Sequence, residues 1–466
     1  MADLSRIVKA YDIRGLVPDE LDVDVAGALG AAAVHVLGDS VSRGRASAVV
    51  VGHDMRESSV PLSEAFADGV TTQGADVVMI GLASTDQLYF ASGHLGLPGA
   101  MFTASHNPAA YNGIKLCRAG AAPVASDTGL GRLRELAEGP RLPAAPEPGS
   151  ISRRDVLADY AAHLHSLVDL STVRPLTVVV DAGNGMAGLT VPAVLEGLPF
   201  TVVPLYFELD GTFPNHMANP LDPATLVDLQ AQVRETGADL GLAFDGDADR
   251  CFVVDERGEP VSPSALTALI AVRELARHPG STVIHNLITS RVVPEVVRAH
   301  GGTPVRTRVG HSFIKQAMAE TGAVFGGEHS GHFYFQDFWR ADSGMLAALH
   351  TLAALAAEPT GTRLSDLVGG YDRYAASGEV NLQVTDSAAA LARVRAAWAG
   401  HEGVRLDDLD GLTVEHGGWW FNVRPSNTEP LLRLNVEAGD AGSMARLRDD
   451  VVAVVTTEAT ETGRTG

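Results

Sequence analysis

Three times along this chain an unbroken apolar run stops at a polar loop, gives way to a helical stretch, passes a glycine and resumes as a second apolar run. The first instance is Ala48-Val49-Val50-Val51-Gly52. It is followed by His53-Asp54-Met55-Arg56, a helix over about 58–73, Gly74 and a strand at 76–81. In the second, 176–180 runs into Asp181-Ala182-Gly183-Asn184-Gly185, a helix to about 196 and a strand at 200–203. In the third, 281–284 runs into His285-Asn286, a helix over 291–300, Gly301-Gly302 and a strand at 303–305. Apolar runs that do not alternate belong to strands buried on both faces, which means parallel strands covered by helices. A strand–helix–strand unit recurring at domain-length spacing predicts three α/β domains built to one plan.

The 466 residues leave room for a fourth domain at ~100–150 residues each. From 373 onward the pattern changes. A strand at 379–384, a helix at 387–399, strands near 411–416, 419–424 and 430–436, and a helix at 441–457 predict a smaller α+β module. The expected boundaries are 1–152, 153–256, 257–372 and 373–466, with Pro-, Ala- and Glu-rich linker sequence at 138–150. The sheets are expected to be mixed.

Charge narrows the possible partners. With 35 Lys+Arg against 57 Asp+Glu the net charge is −22, and no basic run interrupts it, which argues against nucleic acid. A phosphorylated small molecule needs only a local cluster of cations. Two cysteines, Cys117 and Cys251, cannot form a disulfide framework and fit a reducing compartment. The N-terminus has no apolar signal region, and no apolar run reaches the ~20 residues of a membrane span. The expectation is a soluble cytoplasmic protein without a membrane partner.

Four stretches carry chemistry. Thr103-Ala104-Ser105-His106-Asn107-Pro108 sets a serine beside a histidine on a loop that the Asn-Pro step keeps out of helix. An ordinary surface turn would read the same way. Lysine usage separates the two readings: the chain has only Lys9, Lys115 and Lys315, and Lys115 lies ten residues after the serine. Where arginine serves almost everywhere else, a lysine is expected for what arginine cannot do, which is to have its pKa lowered and exchange a proton.

Asp245-Gly246-Asp247-Ala248-Asp249-Arg250 ends the apolar run 240–244. Carboxylates at every second position share a face if the chain stays extended, and small Gly246 and Ala248 let it curl so that the oxygens converge. Hard oxygen ligands in this number suit Mg²⁺. An EF-hand would also use such spacing, with Glu256 at its twelfth position, but Arg250 stands where that loop needs glycine and the flanks read as strands. A solvated acidic turn is the remaining alternative, and three aspartates ending a buried strand would then repel one another without gain.

Gly326-Gly327-Glu328-His329-Ser330-Gly331-His332 is a glycine-flanked loop on which Glu328 and Ser330 can meet sugar hydroxyls, or it is a plain polar turn. Val309-Gly310-His311-Ser312-Phe313-Ile314-Lys315 is weak alone. Arg424-Pro425-Ser426-Asn427-Thr428-Glu429-Pro430 joins two apolar strands, with Arg433 beyond. It is either a hairpin turn or, by its concentration of donors, a site for a phosphate.

Together, and in this order, these stretches resemble the alpha-D-phosphohexomutase family over essentially the whole chain, as do Tyr11-Asp12-Ile13-Arg14-Gly15 and Tyr111-Asn112-Gly113-Ile114-Lys115. The resemblance implies four domains around a central cleft. It implies a phosphoryl group on Ser105, and Mg²⁺ held by Asp245, Asp247, Asp249 and a phosphoserine oxygen. It places His106 beside the serine and implies that Tyr11, Arg14, Lys115, Arg250 and His311 line the cleft, with Lys115 or His332 moving protons. Glu328 and Ser330 would read the sugar, while Arg424, Ser426, Asn427, Thr428 and Arg433 would hold the phosphate that is not reacting. The implied substrate is a phosphorylated hexose, mannose first and glucose beside it, with the hexose 1,6-bisphosphate as intermediate and activator. A monomer or weak homodimer is expected, with a mobile last domain. His329 departs from the loop of some members that accept both sugars. A metal-dependent sugar phosphatase using the same serine and a calcium-binding module are the rival readings.

Overall fold

A computed structural model describes residues 3–38, 47–426 and 431–457. The first sheet holds β1 (Ile13–Leu16), β2 (Ala48–His53), β3 (Asp76–Leu82), β4 (Gly99–Phe102), β5 (Tyr111–Arg118), β6 (Ala122–Pro123) and β7 (Ile151–Arg153). Their order is β1-β5-β4-β2-β3-β7, with β6 beside β5. Strands β7, β3, β2 and β4 run parallel; β5 runs antiparallel to β4, and β1, antiparallel to β5, returns to the common direction.

The second sheet contains β8 (Leu176–Asp181), β9 (Phe200–Leu205), β10 (Leu240–Phe244), β11 (Cys251–Asp255) and β12 (Pro260–Val261). The third contains β13 (Thr282–Asn286), β14 (Thr303–Thr307), β15 (Phe325–Gly327), β16 (Phe333–Phe335) and β17 (Ala341–Asp342). Both are mixed sheets with one order, β9-β8-β10-β11-β12 and β14-β13-β15-β16-β17. The first sheet contains the same four-strand path as β3-β2-β4-β5. The expected repetition is therefore present at the level of strand order.

That order decides where function can sit. In each repeat the first three strands are parallel, and the fourth returns antiparallel from the third. The turn between third and fourth strands lies at the carboxyl end of the parallel strands, where open α/β sheets leave room for ligands. In the three repeats this turn contains Ser105, Asp245–Asp249 and Glu328–His332 respectively. Three stretches far apart in sequence are thus one structural position used three times.

The fourth domain is antiparallel throughout. It comprises β18 (Ala375–Gln383), β19 (Arg405–Asp407), β20 (Leu412–His416), β21 (Trp419–Pro425) and β22 (Leu431–Ala438), in the order β18-β22-β21-β20-β19. Here the strands alternate. Phe421, Val423, Leu432, Leu434 and Val436 pack inward against helices Ser387–Trp398 and Ala441–Thr456. Trp420, Asn422, Arg424, Arg433, Asn435 and Glu437 share the opposite face.

The cores follow the same division. One continuous apolar cluster joins the first three domains, running from Val50 and Met101 through Val178 and Leu242 to Val283 and Phe325. Each fully buried side chain of this size contributes roughly 1.5–3 kcal/mol. The fourth domain keeps its own core and meets the third through a small cluster of Leu287, Ile288 and Trp420. Among the described residues no helix is long and apolar enough to cross a membrane.

Candidate active site

The serine loop hangs between β4 and β5. Ser105 is nearly buried and left-handed, with φ 51°, a conformation that costs a non-glycine residue energy and needs support from its surroundings. Its Oγ donates to Asp245 Oδ2 at 2.7 Å and lies 3.2 Å from His106 Nδ1. That nitrogen accepts from Arg250 Nη2 at 2.6 Å. Burial, then the charges of Arg250 and Arg14, push the His106 pKa down to about 2, so the ring is neutral and acts as an acceptor. Arg14, on β1 opposite Gly113, reaches Asn107 Oδ1 at 2.5 Å and Asp12 at 2.6 Å.

The three aspartates come from the β10–β11 turn. Ala248 is left-handed, with φ 60°, which bends the chain between Asp247 and Asp249 and brings the three carboxylates within 4.8 Å of one another. Asp245, Asp247 and Asp249 are all buried. Gly246 is required by proximity: a Cβ there would sit 2.3 Å from the Ser105 carbonyl oxygen. Thr85 begins the helix Thr85–Leu95, capped by Ser84, and fixes the turn from the other side. Its N–H donates to the Asp247 carbonyl at 3.0 Å, and its hydroxyl donates to Asp247 Oδ2 at 2.6 Å.

Negative charge exceeds what these neighbours balance. Burial pushes Asp245 up to about 7, with Asp247 and Asp249 adding to the rise and Arg250 opposing it from 2.8 Å. Asp247 Oδ1 and Asp249 Oδ1 are buried with no hydrogen-bond partner. Orphaned buried carboxylate oxygens that converge on one another fit a hard divalent cation. The EF-hand alternative fails on structure as well as on Arg250: the flanks are β10 and β11, and Glu256 instead accepts from Ser365 at 2.6 Å and 3.1 Å.

Lys115, on β5, corrects one expectation. Its ammonium donates to Asp247 Oδ2 at 2.6 Å and Asp249 Oδ2 at 2.5 Å. Burial works against the charge, but Asp247, Asp249 and Asp342 outweigh it, so the pKa is raised rather than lowered. In this arrangement the lysine keeps its proton. Lys115 and Arg250 are the cations that partly neutralise the triad.

The β15–β16 turn docks beside it: Arg250 and His332 form an antiparallel bridge, and Cys251 N–H donates to Gly331 O. His332 Nε2 lies 3.7 Å from Asp249 Oδ1, and its Nδ1 meets Ser330 Oγ at 2.9 Å. Glu328 is buried and accepts from the Tyr334 hydroxyl at 2.7 Å, Asn286 Nδ2 at 3.2 Å and Gly310 N–H at 3.3 Å. His311 opens the helix His311–Thr321 next to Tyr11, their rings edge-on at 5.1 Å. Burial, with Lys315 next, lowers the His311 pKa to about 3. Lys315 itself is a buried partner of Asp342 at 2.7 Å.

Arg424 and Arg433 face each other across β21 and β22. Glu379 of β18 bridges them, 2.8 Å from Arg424 Nη2 and 3.2 Å from Arg433 Nη1. Arg424 Nε is buried without a partner, and burial lowers the pKa of this arginine against the pull of Glu379. Ser426 donates its N–H to Leu431 O. Asn427 and Thr428 lie outside the described residues.

Ser105, His106, Arg14, Lys115, the three aspartates, Arg250, Ser330 and His332 therefore form one linked cluster, with Glu328 at its rim. Tyr11 and His311 stand beside it, and Arg424 with Arg433 occupy a separate domain. Sequence reasoning missed Arg56, Thr85, Asn286, Tyr334 and Glu379. The only signal for the first was a polar run closing an apolar strand.

Four family models match in sequence order. They are described as Phosphoglucomutase/phosphomannomutase, alpha/beta/alpha domain I, II and III and C-terminal domain, at residues 5–134, 158–258, 262–374 and 379–454. The chain is 45% identical over 437 residues to phosphohexose mutases of Xanthomonas campestris pv. campestris, covering 93% of this chain and 95% of the other. It is 42% identical over 452 residues to a phosphomannomutase of Salmonella typhimurium, covering 94% and 97%. A crystal structure of a phosphoglucomutase/phosphomannomutase family protein from Burkholderia thailandensis superposes with a TM-score of 0.88 at 34% identity, covering 98% of each chain.

Proposed function

We propose, on the premise that this chain belongs to the phosphoglucomutase/phosphomannomutase family, that it interconverts hexose 6-phosphate and hexose 1-phosphate, with mannose phosphates as the preferred pair. It works as an intramolecular phosphotransferase through a phosphoserine at Ser105 and a hexose 1,6-bisphosphate. The observation that carries the site assignment is Ser105 Oγ held 2.7 Å from Asp245 in a triad with orphaned buried oxygens.

Asp245, Asp247 and Asp249 would hold Mg²⁺. When bound, the cation supplies charge neutralisation at the transferring phosphoryl group.

The remaining chemistry belongs to the protein. In the first transfer the bond from phosphorus to Ser105 Oγ breaks and one to the free sugar hydroxyl forms. In the second, after the bisphosphate turns over, Ser105 takes the other phosphoryl group. The sugar hydroxyl loses a proton and the serine oxygen gains one in the first step, and the reverse holds in the second. Lys115 is held protonated by Asp247 and Asp249 and so places a fixed positive charge beside the transferring group. His332 stands 3.7 Å from Asp249 and serves as the base for the sugar hydroxyl, the proton returning from it to the serine oxygen. His106 is too weak a base for that task and orients Ser105 Oγ and Arg250. Glu328 and Ser330 contact sugar hydroxyls. Arg424 and Arg433 hold the distal phosphate together with Ser426, Asn427 and Thr428. Positioning of the two ends supplies most of the remaining acceleration.

The test is phosphorus NMR on mannose 1-phosphate with a trace of the bisphosphate. Conversion to the 6-phosphate supports the reading. Release of inorganic phosphate without isomerisation would replace it with a sugar phosphatase. The same assay with glucose 1-phosphate separates strict from dual preference.

A further inference from the structure

Arg56 lies outside every stretch assigned a role above, yet its guanidinium is the most completely used side chain around the serine loop. It is buried, and each of its five N–H groups has an acceptor. Nε donates to Asp54 Oδ2 at 3.2 Å. Nη1 donates to the carbonyls of Pro108 at 2.9 Å and Tyr111 at 3.1 Å. Nη2 donates to the carbonyls of Ser105 at 2.9 Å and Asn107 at 2.7 Å. The Ser105 carbonyl is buried, where an unmet acceptor is costly, and the carbonyls of Asn107, Pro108 and Tyr111 lie half-buried to exposed along the same loop and the start of β5. A single side chain meets all four.

Its own placement is fixed in turn. Asp54 accepts from the Arg56 backbone N–H at 3.0 Å and from the Ser59 hydroxyl at 2.6 Å, which sets the carboxylate behind the guanidinium. The Phe213 ring, from the second domain, covers the guanidinium at 5.0 Å. A Cβ on Gly211 would sit 2.6 Å from Arg56 Cα, so the second domain closes directly over this residue.

Resting on the phosphoserine reading, we propose that Arg56 is the positioning residue that holds Ser105 in its left-handed conformation and presses its loop against the metal-binding turn. It touches no reacting atom. Lysine has three donors on a flexible stem and cannot reproduce five bonds in one plane.

The test is Arg56→Lys, with Asp54→Asn as a second, milder variant that keeps the arginine and removes its backing. Turnover should fall about 100-fold in Arg56→Lys, the scale set by a misplacement of about an ångström, with KM for mannose 1-phosphate nearly unchanged. Asp54→Asn should lose less, in the same sense. Hydrogen exchange across residues 103–113 should rise in both variants. In Arg56→Ala, millimolar guanidinium should restore part of the turnover. Unchanged exchange with unchanged turnover, or a loss confined to KM, overturns the proposal, as does a folded Arg56→Ala that guanidinium does not help. Should Arg56→Lys not fold, the Asp54→Asn exchange and turnover decide alone. Exchange needs no catalysis. A wild type that neither carries phosphate nor isomerises, with exchange still rising in the variants, would therefore sink the mutase reading and leave the positioning role of Arg56 standing.

Discussion

The serine–aspartate centre and the arginine pair of the fourth domain both handle charge, but they are held in opposite ways. Around Ser105 the first and second domains interlock at backbone level. Gly246 admits no side chain against the Ser105 carbonyl, Thr85 bonds to Asp247 twice, and Asp86 accepts from Tyr160 of the second domain and Ser343 of the third. A continuous apolar core lies beneath. The fourth domain joins the third through the small apolar cluster of Leu287, Ile288 and Trp420 and, around it, polar contacts. Arg291 donates to the carbonyls of His416 and Gly417, and Arg306 pairs with Asp407 and Glu415. Arg308 reaches Leu409 O at 2.7 Å. Interfaces of this kind favour relative motion, whereas merged cores resist it. A reacting centre built into merged cores, with the arginine pair on a domain that keeps its own core, suits the proposed reaction, in which a sugar must present both ends in turn.

The largest expected effect lies in the fixed half. Ser105→Ala should lower turnover by several orders of magnitude while leaving the melting temperature within a few degrees, because the carrier is lost and the fold is not. Near-normal turnover in that variant, without phosphate on a neighbouring residue, would erase the distinction between the halves. Arg424→Ala should act through binding. Removing a charged bidentate contact costs on the order of 1.5–3 kcal/mol, so kcat/KM should fall roughly 10- to 150-fold, mostly in KM, and Ser105 should still accept phosphate. Loss of serine phosphorylation in Arg424→Ala would mean that the two halves are not separable.

Glu328→Ala sharpens the boundary between them. On the proposed reading its carboxylate, now bonded to Tyr334, Asn286 and Gly310, would meet the sugar hydroxyls, and a misplaced hydroxyl would leave a buried group unpaired, so the mannose-to-glucose preference should shift about tenfold. If Arg424→Ala alters the preference and Glu328→Ala does not, the two loops are wrongly assigned.

The smallest effect separates the cores by pH. Burial lowers His285 to about 4 and His350 to about 3, and both lie in the third domain. Below the ordinary value near 6.5 the unfolded chain takes up protons that the folded domain refuses. Stability therefore falls as the pH drops from 6.5 toward 4, by up to about 1.4 kcal/mol per unit for each histidine. Calorimetry between pH 7 and 5 should show the merged core melting earlier as the solution is acidified. His350→Leu should flatten that dependence, and an unchanged slope would remove His350 from the account.

The strand–helix–strand repeat was legible because buried parallel strands leave unbroken apolar runs, as at 48–52 and 176–180, which the structure extends to Ala48–His53 and Leu176–Asp181. The acidic turn was legible because three aspartates after such a run have few uses. What escaped depends on three-dimensional closure. Tyr111–Arg118 is a strand that contains Lys115, and no alternation announced it; its pairing with β1 and β4 is long-range. The lysine's protonation escaped for the same reason, since Asp247 and Asp249 lie on another domain's turn. Arg56 reads in sequence as one polar residue among several, and its weight comes from four carbonyls brought to it by the β4–β5 loop. Glu379 likewise gains meaning only when β18 pairs beside β22.

The central claim is most directly tested by the intact mass of the protein after incubation with hexose 1,6-bisphosphate and removal of excess ligand. The expected result is one phosphoryl adduct, absent from Ser105→Ala, that disappears on addition of mannose 1-phosphate as the bisphosphate forms. No adduct on the wild type, or an adduct retained by Ser105→Ala, would contradict it.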